Sequence, residues 1–493
     1  MAIKIVQNRC IATEKNIKGS HLLLVLDDMT SKAFPYLKEL NQKLKRTHKK
    51  TANLAKEPVT IEIENGRVLS FVALDKKNNT FQRHTLIRKA LQPLIAENPE
   101  VLSIAVFGDE ALKEINARAA VYVALMNSQT LPTYKKEANK KNIKTIELSG
   151  TEFKDKFARE IAVVTGNTLT RELTMLPPNE LTPSIYRTKI KSLVKSNGWK
   201  IEEFDMAKLK KMGAGSFVAV AQGSEPQDAA IVHLTYKPKQ TKKTIAVIGK
   251  GICFDTGGHN LKPARYMHGM HEDMNGSAVS LGILLAATLL KLPIQIDCWL
   301  AIAQNHIGPK AYKQNDVVKS LNGTTIEIIH TDAEGRMVLA DTLTLASRLK
   351  PDMMMDFATL TGSMATALGD RYSGVISNRP ELSCLAVGAG NKAGERITAF
   401  PFDEDYEEDL ESGIADIKQC TLEGGADHIH AARFLNRFIE KSVPWLHTDL
   451  SSSNRKGGLG ASISEVNGFG VSFGIQVLKD VLEKNLKLIF TNH

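Results

Sequence analysis

The feature that most constrains this chain is an alternation of apolar strand-like and helix-like segments between residues 244 and 362. The strand-like segments read TIAVIGKGICF, IQIDCWLAIA and MMMDFATLTG, and helical patterns separate them, from about Gly276 to Leu290 and around LADTLTLASRL. Near-continuous apolar strands separated by helices indicate a mostly parallel or mixed sheet that is covered on both faces. In such sheets the chemistry collects in loops at the carboxyl ends of the strands.

The first third of the chain predicts a second, smaller α/β unit. Apolar runs such as HLLLVL and VLSIAVFG alternate there with a helical stretch, FQRHTLIRKALQPLIAEN. A helix is also expected in the segment that follows, because Phe157, Ile161 and Val164 have helical spacing and two prolines then end the pattern. The sequence therefore predicts an α/β fold with two domains, each a mixed or mostly parallel sheet covered by helices. The expected boundaries are an N-terminal domain 1–150, a long linker helix 151–176 and a C-terminal domain 177–493.

Charge is concentrated in the predicted N-terminal domain. Residues 1–150 hold 25 Lys and Arg against 15 Asp and Glu, which accounts for the whole net charge of +10. The basic clusters KLKRTHKK and YKKEANKKNIK lie in this part. Such a surface is either simply solvated or able to neutralise phosphates, so DNA is one candidate partner.

The sequence also bounds the compartment. Its longest apolar run, from Ser277 to Leu290, is cut by Lys291 and is too short to span a bilayer. No secretion signal is recognisable at the start. Five cysteines without a CxxC pair favour reduced thiols. We therefore expect a cytoplasmic protein without a membrane-spanning segment.

Polar residues cluster directly after the first strong strand. GKGICFDTGGHNLKP contains Lys250, Asp255 and Lys262, and MHGMHEDMNGSA brings Asp273 just before the long helix. A phosphate-binding P-loop is excluded, because it requires GxxxxGK followed by Ser or Thr, whereas Lys250 is followed by Gly and position 244 is Thr.

The segment HTDAEGRMVLAD places Asp332, Glu334 and Arg336 at alternate positions. If the segment is extended, all three side chains point the same way and converge on one spot that suits cations. The alternative is a solvated strand edge with a local ion pair. The apolar residues that follow favour a buried element, in which acidic groups need compensating charge.

HTDAEGRMVLAD resembles the NTDAEGRL signature of the leucyl aminopeptidases, the cytosol aminopeptidase family. The match continues through GKGICFDTGG, LKP, EDM and ATLTG in the same order and spacing, and covers the chain from about residue 165 to its end. The resemblance implies metal-dependent hydrolysis of the first peptide bond of peptides with a free N-terminus. It also implies a cytoplasmic homohexamer with two divalent metal ions per subunit.

The resemblance further implies roles for individual residues. One metal would be held by Lys250, Asp255, Asp273 and Glu334, and the other by Asp255, Asp332 and Glu334. Oxygen-rich ligation suits manganese or zinc and is compatible with magnesium and cobalt. Lys250 would bind as a neutral amine, because two adjacent cations lower its pKa.

In the implied mechanism a metal-bridging hydroxide is the nucleophile. Lys262 would stay charged and polarise the scissile carbonyl. Arg336 would hold a bicarbonate ion as the proton shuttle.

The substrate side-chain pocket is less defined by the sequence. The matching positions are Met270, Thr359, Leu360 and Gly362. A late segment, HTDLSSSNRKGGLG, differs from the usual HLDIAG, so Ser451 and Asn454 leave the preferred residue open. His330 stands where the family usually has Asn, either as a packed, hydrogen-bonded residue or as a titrating group near the site.

Overall fold

The computed structural model describes residues 3–17, 19–27, 34–64, 66–136 and 142–483. Residues 137–141 of the second basic cluster therefore lie outside the described residues. The chain divides into two compact units. The first comprises Met1–Val164, Asn391–Glu395 and Arg455–Asn467, and the second comprises Thr165–Gly390, Arg396–Asn454 and Gly468–His493. The domain boundaries expected from the sequence, at 150 and 177, stay a prediction.

The first unit is built on a six-stranded sheet with the order β1-β6-β5-β2-β4-β3. Neighbouring strands are parallel except β3 and β4. The apolar runs HLLLVL and VLSIAVFG form the paired strands β2 and β5, as the sequence predicts. The strands are β1 Lys4–Asn8, β2 His21–Leu26, β3 Val59–Glu62, β4 Val68–Ala73, β5 Val101–Val106 and β6 Thr145–Ser149. The helices are α1 Leu37–Arg46, α2 Thr80–Ala96 and α3 Glu110–Asn127, with a 3-10 turn at Thr51–Ala55.

Helix α4, Ala158–Thr174, occupies most of the segment in which the sequence predicts a helix. It ends three residues before Pro177, whose missing N–H and ring cannot be accommodated inside a helix. The helical spacing of Ile161 and Val164 therefore identified a real helix, although it begins later than residue 151.

The second unit contains the longer strands and most helices. Its strands are β7 Lys200–Asp205, β8 Ala230–Tyr236, β9 Lys243–Asp255, β10 Ile294–Asn305, β11 Val317–Lys319, β12 Thr325–Glu327, β13 Met353–Ala358, β14 Ser373–Ser377, β15 Ile397–Ala399, β16 Ile417–Lys418 and β17 Trp445–Asp449. The remaining helices are α5 Pro183–Asn197, α6 Met206–Met212, α7 Gly215–Ala221, α8 Ala264–Met267, α9 Asn275–Leu289, α10 Glu334–Arg348, α11 Gly362–Leu368, α12 Pro380–Ala393, α13 Asp427–Asn436 and α14 Val471–Glu483. Short 3-10 segments occur at Met270–Met274, Glu404–Leu410 and Glu440–Ser442.

Eight of these strands form one mixed sheet with the order β15-β14-β17-β13-β9-β10-β8-β7. The central strand β9 pairs in parallel with β10 and β13, so three predicted strands are neighbours. This arrangement confirms the α/β class that the apolar segments predict. The three short strands β11, β12 and β16 form a separate small sheet.

Helices α9 and α10 cover opposite faces of β9. Ala246 and Ile248 share a core cluster with Met337 of α10. A Cβ at Gly249, on the other face, would lie 2.5 Å from the Cα of Ser277 in α9, so only glycine permits this close approach. Because side chains alternate along a strand, Lys250 points to the same face as Ile248, towards α10. Among the described residues, no helix combines the length and apolar character required to cross a membrane.

Candidate active site

The candidate site lies at the carboxyl end of β9. Lys250 and Asp255 belong to this strand, and Lys262 lies in the loop that follows it. Asp273 belongs to the 3-10 segment before α9, and Glu334 is the first residue of α10. Both helices cover β9, so their N-termini and the end of the strand present polar groups to one place.

The segment around Asp332 is not an extended strand. Thr331 and Asp332 form a turn, and α10 begins at Glu334. The expectation of alternate residues on one strand face is therefore wrong. Residues 337–340 are all fully buried, which suits a helix enclosed between β9 and neighbouring helices. An acidic residue at the helix start is favoured by the free backbone N–H groups there.

Two lysines interleave with four carboxylates. The Lys250 Nζ lies 2.8 Å from Asp273 Oδ1 and 2.9 Å from Glu334 Oε1. The Lys262 Nζ lies 2.9 Å from Asp255 Oδ2 and 2.6 Å from Asp332 Oδ1. With every group ionised, four carboxylates against two ammonium groups leave a formal charge of −2. The cluster therefore carries negative charge in a buried setting.

The ionisation of the cluster follows from burial and mutual repulsion. Burial, with the charge of Asp255, raises the pKa of Glu334 to about 7. Burial, with the charges of Glu334 and Asp255, likewise raises the pKa of Asp332 to about 7. Burial also raises the pKa of Asp273, to about 6, against the opposing effect of Lys250. Added positive charge would relieve this repulsion.

The two lysines respond in the opposite sense. Burial alone lowers the pKa of Lys250, but Asp273 and Glu334 raise it by more, so it lies above its ordinary value. The same balance, with Asp255 as the leading carboxylate, raises the pKa of Lys262. The sequence analysis expects a lowered pKa for Lys250, and this lowering depends on bound cations. The carboxylates of the protein alone raise the pKa of Lys250.

Neighbouring groups fix the carboxylates in place. Asp255 Oδ1 accepts hydrogen bonds from the backbone N–H of Gly257 and from Asn305 Nδ2, both at 2.8 Å. Thr359 Oγ1 donates to Asp273 Oδ1 at 2.7 Å. Such hydrogen bonds orient potential metal ligands.

The donor set fits divalent cations. Ligand oxygens of Asp255, Asp273 and Glu334 all lie within 4.8 Å of one another, and the three residues are buried. Asp273 Oδ2 and Glu334 Oε2 are buried without a hydrogen-bond partner among the described residues. Unpartnered buried carboxylate oxygens are costly, and a cation would satisfy them.

All eleven residues that the sequence proposed for the site line one cavity of about 480 Å³. They come from β9, from the loops after β9 and β13, and from the starts of α10 and α11. The set is Lys250, Asp255, Lys262, Met270, Asp273, Asp332, Glu334, Arg336, Thr359, Leu360 and Gly362.

The three residues whose roles the sequence left open, Ser451, Asn454 and His330, differ in their contacts. Ser451 lines the cavity and donates to the backbone carbonyl of Tyr372 at 2.6 Å. The side chain of Asn454 instead donates to both carboxylate oxygens of Glu272 at 2.9 Å. His330 lines the cavity, and its Nδ1 accepts the Asp332 N–H at 3.2 Å. Burial and the Lys262 charge lower the pKa of His330, so it is a neutral, hydrogen-bonded residue at neutral pH.

Among the charged residues that line the cavity, the sequence analysis missed one. Asp427, the first residue of α13, lines the cavity and accepts a hydrogen bond from Arg336 Nη2 at 2.7 Å. The local signal for Asp427 is an acid at the start of a helical pattern, separated by one residue from a pair of glycines. Many helices begin with an acidic residue, so this signal does not single out Asp427.

Comparison with known proteins identifies the same family that the sequence motifs resemble. Residues 168–474 match the family model described as the cytosol aminopeptidase family, catalytic domain. A probable cytosol aminopeptidase from Stutzerimonas stutzeri is 43% identical over 304 residues, 61% of this chain and 60% of that protein. One from Persephonella marina is 34% identical over 73% of this chain and 72% of its own length. The chain thus spans three fifths of the length of the first of these relatives.

Solved structures share the fold over almost the whole chain. The bottromycin maturation enzyme BotP in complex with Mn has a TM-score of 0.81 at 28% identity, covering 93% of this chain and 99% of BotP. A mutant of tomato leucine aminopeptidase has a TM-score of 0.83 at 24% identity, with 97% and 96% covered. The tomato structure bears on the fold alone.

Proposed function

The chain belongs to the cytosol aminopeptidase family, and from this premise we propose that it hydrolyses the first peptide bond of peptides with a free N-terminus, in a metal-dependent reaction. The observation that carries the proposal is the single cavity in which all eleven predicted residues meet. The clustered ligand oxygens of Asp255, Asp273 and Glu334 support the metal dependence.

Two divalent ions would be held by Lys250, Asp255, Asp273, Asp332 and Glu334. Manganese or zinc is the proposed occupant, magnesium and cobalt are compatible with the ligands, and the Mn complex of BotP supports this type of ion. When bound, the ions supply Lewis-acid activation of water and of the scissile carbonyl. Asp255 and Glu334 would serve both ions, as the resemblance implies, and each contacts one of the two lysines.

Lys262 is proposed to stabilise the oxyanion that forms on the scissile carbonyl. Its raised pKa keeps the ammonium charged at neutral pH. Lys262 lies in the loop after β9 and lines the cavity, where its ammonium group contacts Asp255 and Asp332. Its side chain is more exposed than that of Lys250. A charged donor aimed at developing negative charge stabilises the transition state more than the ground state.

The lining of the cavity supports an apolar N-terminal residue in the substrate. Met270, Leu360 and Leu450 contribute apolar surface. Of the two polar residues that the sequence left open, Ser451 lines the cavity, and its hydroxyl donates to the Tyr372 carbonyl. Asn454 is held by Glu272 and does not alter this lining. We therefore propose that Met270, Thr359, Leu360 and Gly362 form the substrate side-chain pocket.

The proposal is tested by hydrolysis of a panel of aminoacyl amides. Protein stripped with a chelator should be inactive, and activity should return with manganese, zinc, cobalt or magnesium. The same amides carrying an N-acetyl group are the matched control and should not be hydrolysed, because a free amine is required. Absence of turnover with all four metals would overturn the proposed function.

Further properties implied by family membership stay proposals. A homohexamer in the cytoplasm is the expected assembly and location, and light scattering of the purified protein would test the assembly. A bicarbonate ion on Arg336 is the proton shuttle that the resemblance implies. Arg336 already donates to Asp427, which gives the chain a second candidate for that role.

DNA binding through the basic N-terminal third is a separate proposal. Lys45, Arg46 and Lys50 are exposed at and beyond the end of α1 and so present positive charge to solvent. A duplex-DNA mobility shift that weakens with salt would support this role. The control replaces these three residues with uncharged ones. A mobility shift that stays unchanged in this variant would contradict the proposed DNA binding.

A further inference from the structure

Arg336 is an almost fully buried cation at the edge of the candidate site. Its side chain is 2% exposed and lies in the first turn of α10, two residues after Glu334. Nη1 donates to the backbone carbonyl of Gln419 at 3.1 Å, and Nη2 donates to Asp427 Oδ1 at 2.7 Å. A buried guanidinium is destabilising unless an anion accompanies it. In this chain that anion is a side chain of the protein.

Asp427 is positioned by the start of a helix and by an ion pair. It is the first residue of α13, where the free N–H groups favour negative charge, and it pairs with Arg336. Its side chain is 21% exposed and faces the cavity. Among the described residues, the hydrogen bonds of this carboxylate involve Oδ1 alone. Oδ2 is therefore left to act on a molecule in the cavity.

Asp427 differs from the other acids of the cavity. Asp255, Asp273, Asp332 and Glu334 each contact a lysine ammonium and form the proposed metal ligands. Asp427 contacts an arginine, which cannot give up its proton in a protein. It is thus the cavity carboxylate that remains available for proton transfer when the others are engaged.

Two other titratable groups that line the cavity, His330 and Cys420, are poorly suited to accept a proton. His330 uses Nδ1 to accept the Asp332 N–H. Burial raises the pKa of the Cys420 thiol to about 11, so it is protonated at neutral pH. Asp427 lines the same cavity as Lys262 and the proposed metal ligands, which places it beside the proposed reaction centre.

We propose that Asp427 is the proton acceptor of this site and that it takes the position on Arg336 that a bicarbonate ion would otherwise occupy. This inference rests on the proposed function. As the attacking water forms its bond to the scissile carbonyl carbon, one of its protons passes to the Asp427 carboxylate. As the C–N bond breaks, the same proton passes from Asp427 to the leaving nitrogen. The carboxylate is regenerated, so no external base is consumed.

The assignment predicts how the site treats free anions. A second anion on Arg336 would lie beside the Asp427 carboxylate and be repelled by it. Wild-type protein should therefore neither bind bicarbonate at this position nor need it. Removal of the carboxylate should open the position to bicarbonate.

The test compares wild type with Asp427→Ala, Asp427→Asn and the control Glu423→Gln. Glu423 is an exposed acid in the segment before α13 and does not line the cavity. Hydrolysis of an aminoacyl amide is measured in carbonate-free buffer, with and without added bicarbonate. Binding of ¹³C-labelled bicarbonate is measured by NMR line broadening on the zinc-loaded and metal-free proteins.

The kcat of wild type and of Glu423→Gln should change less than about 2-fold when bicarbonate is added. Asp427→Ala should lose about 100-fold or more in kcat, the effect typical of a lost general base, and regain at least about 10-fold with bicarbonate. It should also be the variant that binds labelled bicarbonate. Asp427→Asn should lose activity without rescue, because its amide fills the position but accepts no proton.

Two results would overturn the inference. One is wild-type activity that rises with bicarbonate as strongly as that of Asp427→Ala. The other is labelled bicarbonate that binds wild type and Asp427→Ala equally. Should wild type hydrolyse no amide with any metal, the proposed function fails instead, and the binding measurement still decides whether Asp427 occupies the anion position. Circular dichroism of each variant verifies folding, and Asp427→Asn keeps the side-chain shape if Asp427→Ala misfolds.

Discussion

Lys250 packs directly against the backbone of Gly335. A Cβ added at Gly335 would lie 2.7 Å from Lys250 Cε and 2.8 Å from its Nζ. Such distances are closer than van der Waals contact, so the glycine makes room for the lysine. Because Lys250 Nζ also contacts Asp273 and Glu334, the position of Gly335 controls the geometry of the proposed metal ligands.

Gly335→Ala should therefore weaken metal binding more than stability. The added methyl displaces the end of a flexible side chain, so we expect metal affinity to fall about 10- to 100-fold. The free energy of unfolding should stay within about 1 kcal/mol, because alanine favours the helix. Metal titration by calorimetry and urea unfolding measure the two effects. Gly388→Ala in α12, where a Cβ would meet no atom within 4 Å, is the control. Equal metal affinity in the two variants would contradict the packing argument.

Lys262→Met should reduce turnover while metal remains bound. The substitution keeps the length of the side chain but removes the charge that is proposed to stabilise the oxyanion. Loss of one such donor typically lowers kcat by about 100- to 1,000-fold. Turnover of an aminoacyl amide and metal content by mass spectrometry are the measurements. Lys313→Met, at an exposed lysine paired with Asp316, is the control and should leave both unchanged. If Lys262→Met emptied the site of metal, Lys262 would have a structural role instead.

The first unit should lose stability in acid because of His84. Burial, with the charges of Arg159 and Arg83, lowers the pKa of His84 from 6.5 to about 3. The unfolded chain therefore binds the proton more readily than the folded one. The stability contributed by neutral His84 is complete above pH 6.5 and is lost as the pH falls towards 3, by up to about 1.4 kcal/mol per pH unit.

The measurement is amide hydrogen exchange in α2 at pH 7 and pH 4.5, corrected for intrinsic exchange. His84→Gln should be less stable than wild type at pH 7 but should lose less protection between the two pH values. Parallel losses in both proteins would show that another group controls the acid sensitivity.

A buried ion pair in the large sheet should be costly to break. His447 Nδ1 lies 2.8 Å from Asp356 Oδ1, and Trp445 Nε1 donates to Asp356 Oδ2 at 2.7 Å. Both acid and histidine are fully buried. Asp356→Ala removes both acceptors and leaves a buried polar ring behind, so we expect a loss of about 3–5 kcal/mol.

Urea unfolding followed by tryptophan fluorescence measures this loss, because Trp199, Trp299 and Trp445 all lie in the second unit. The exposed pair of Lys208 and Glu202 is the control, and Lys208→Ala should cost less than about 1 kcal/mol. A similar cost for the two variants would mean that the buried pair contributes little beyond a surface pair.

Local periodicity was enough to identify the main elements. The apolar run TIAVI forms part of β9, and the mostly apolar segment after Asp273 forms α9, because elements buried on both sides have few charged or strongly polar residues. The polar residues Lys250, Asp255 and Asp273 were predicted on the same basis, since chemistry in such sheets collects at the carboxyl ends of the strands. The matching motifs added roles to these residues.

Local patterns could not decide the conformation of residues 330–336. The pattern of Asp332, Ala333 and Glu334 suits both a strand and the start of a helix. These residues lead into a helix here, and α10 is buried on all sides by the surrounding structure. The same limit applies to Ser451 and Asn454. Their neighbours Tyr372 and Glu272 are distant in the chain, so only folding determines which of them faces the cavity.

The sequence by itself determined the class of fold, the strand that carries the site and the acids and lysines gathered at its end. These depend on hydrophobic spacing and charge within short segments. The tertiary structure alone decided that Arg336 meets Asp427, 91 residues later in the chain. A pairing of that kind depends on where two helices begin in space, and no period or composition within either helix encodes that distance.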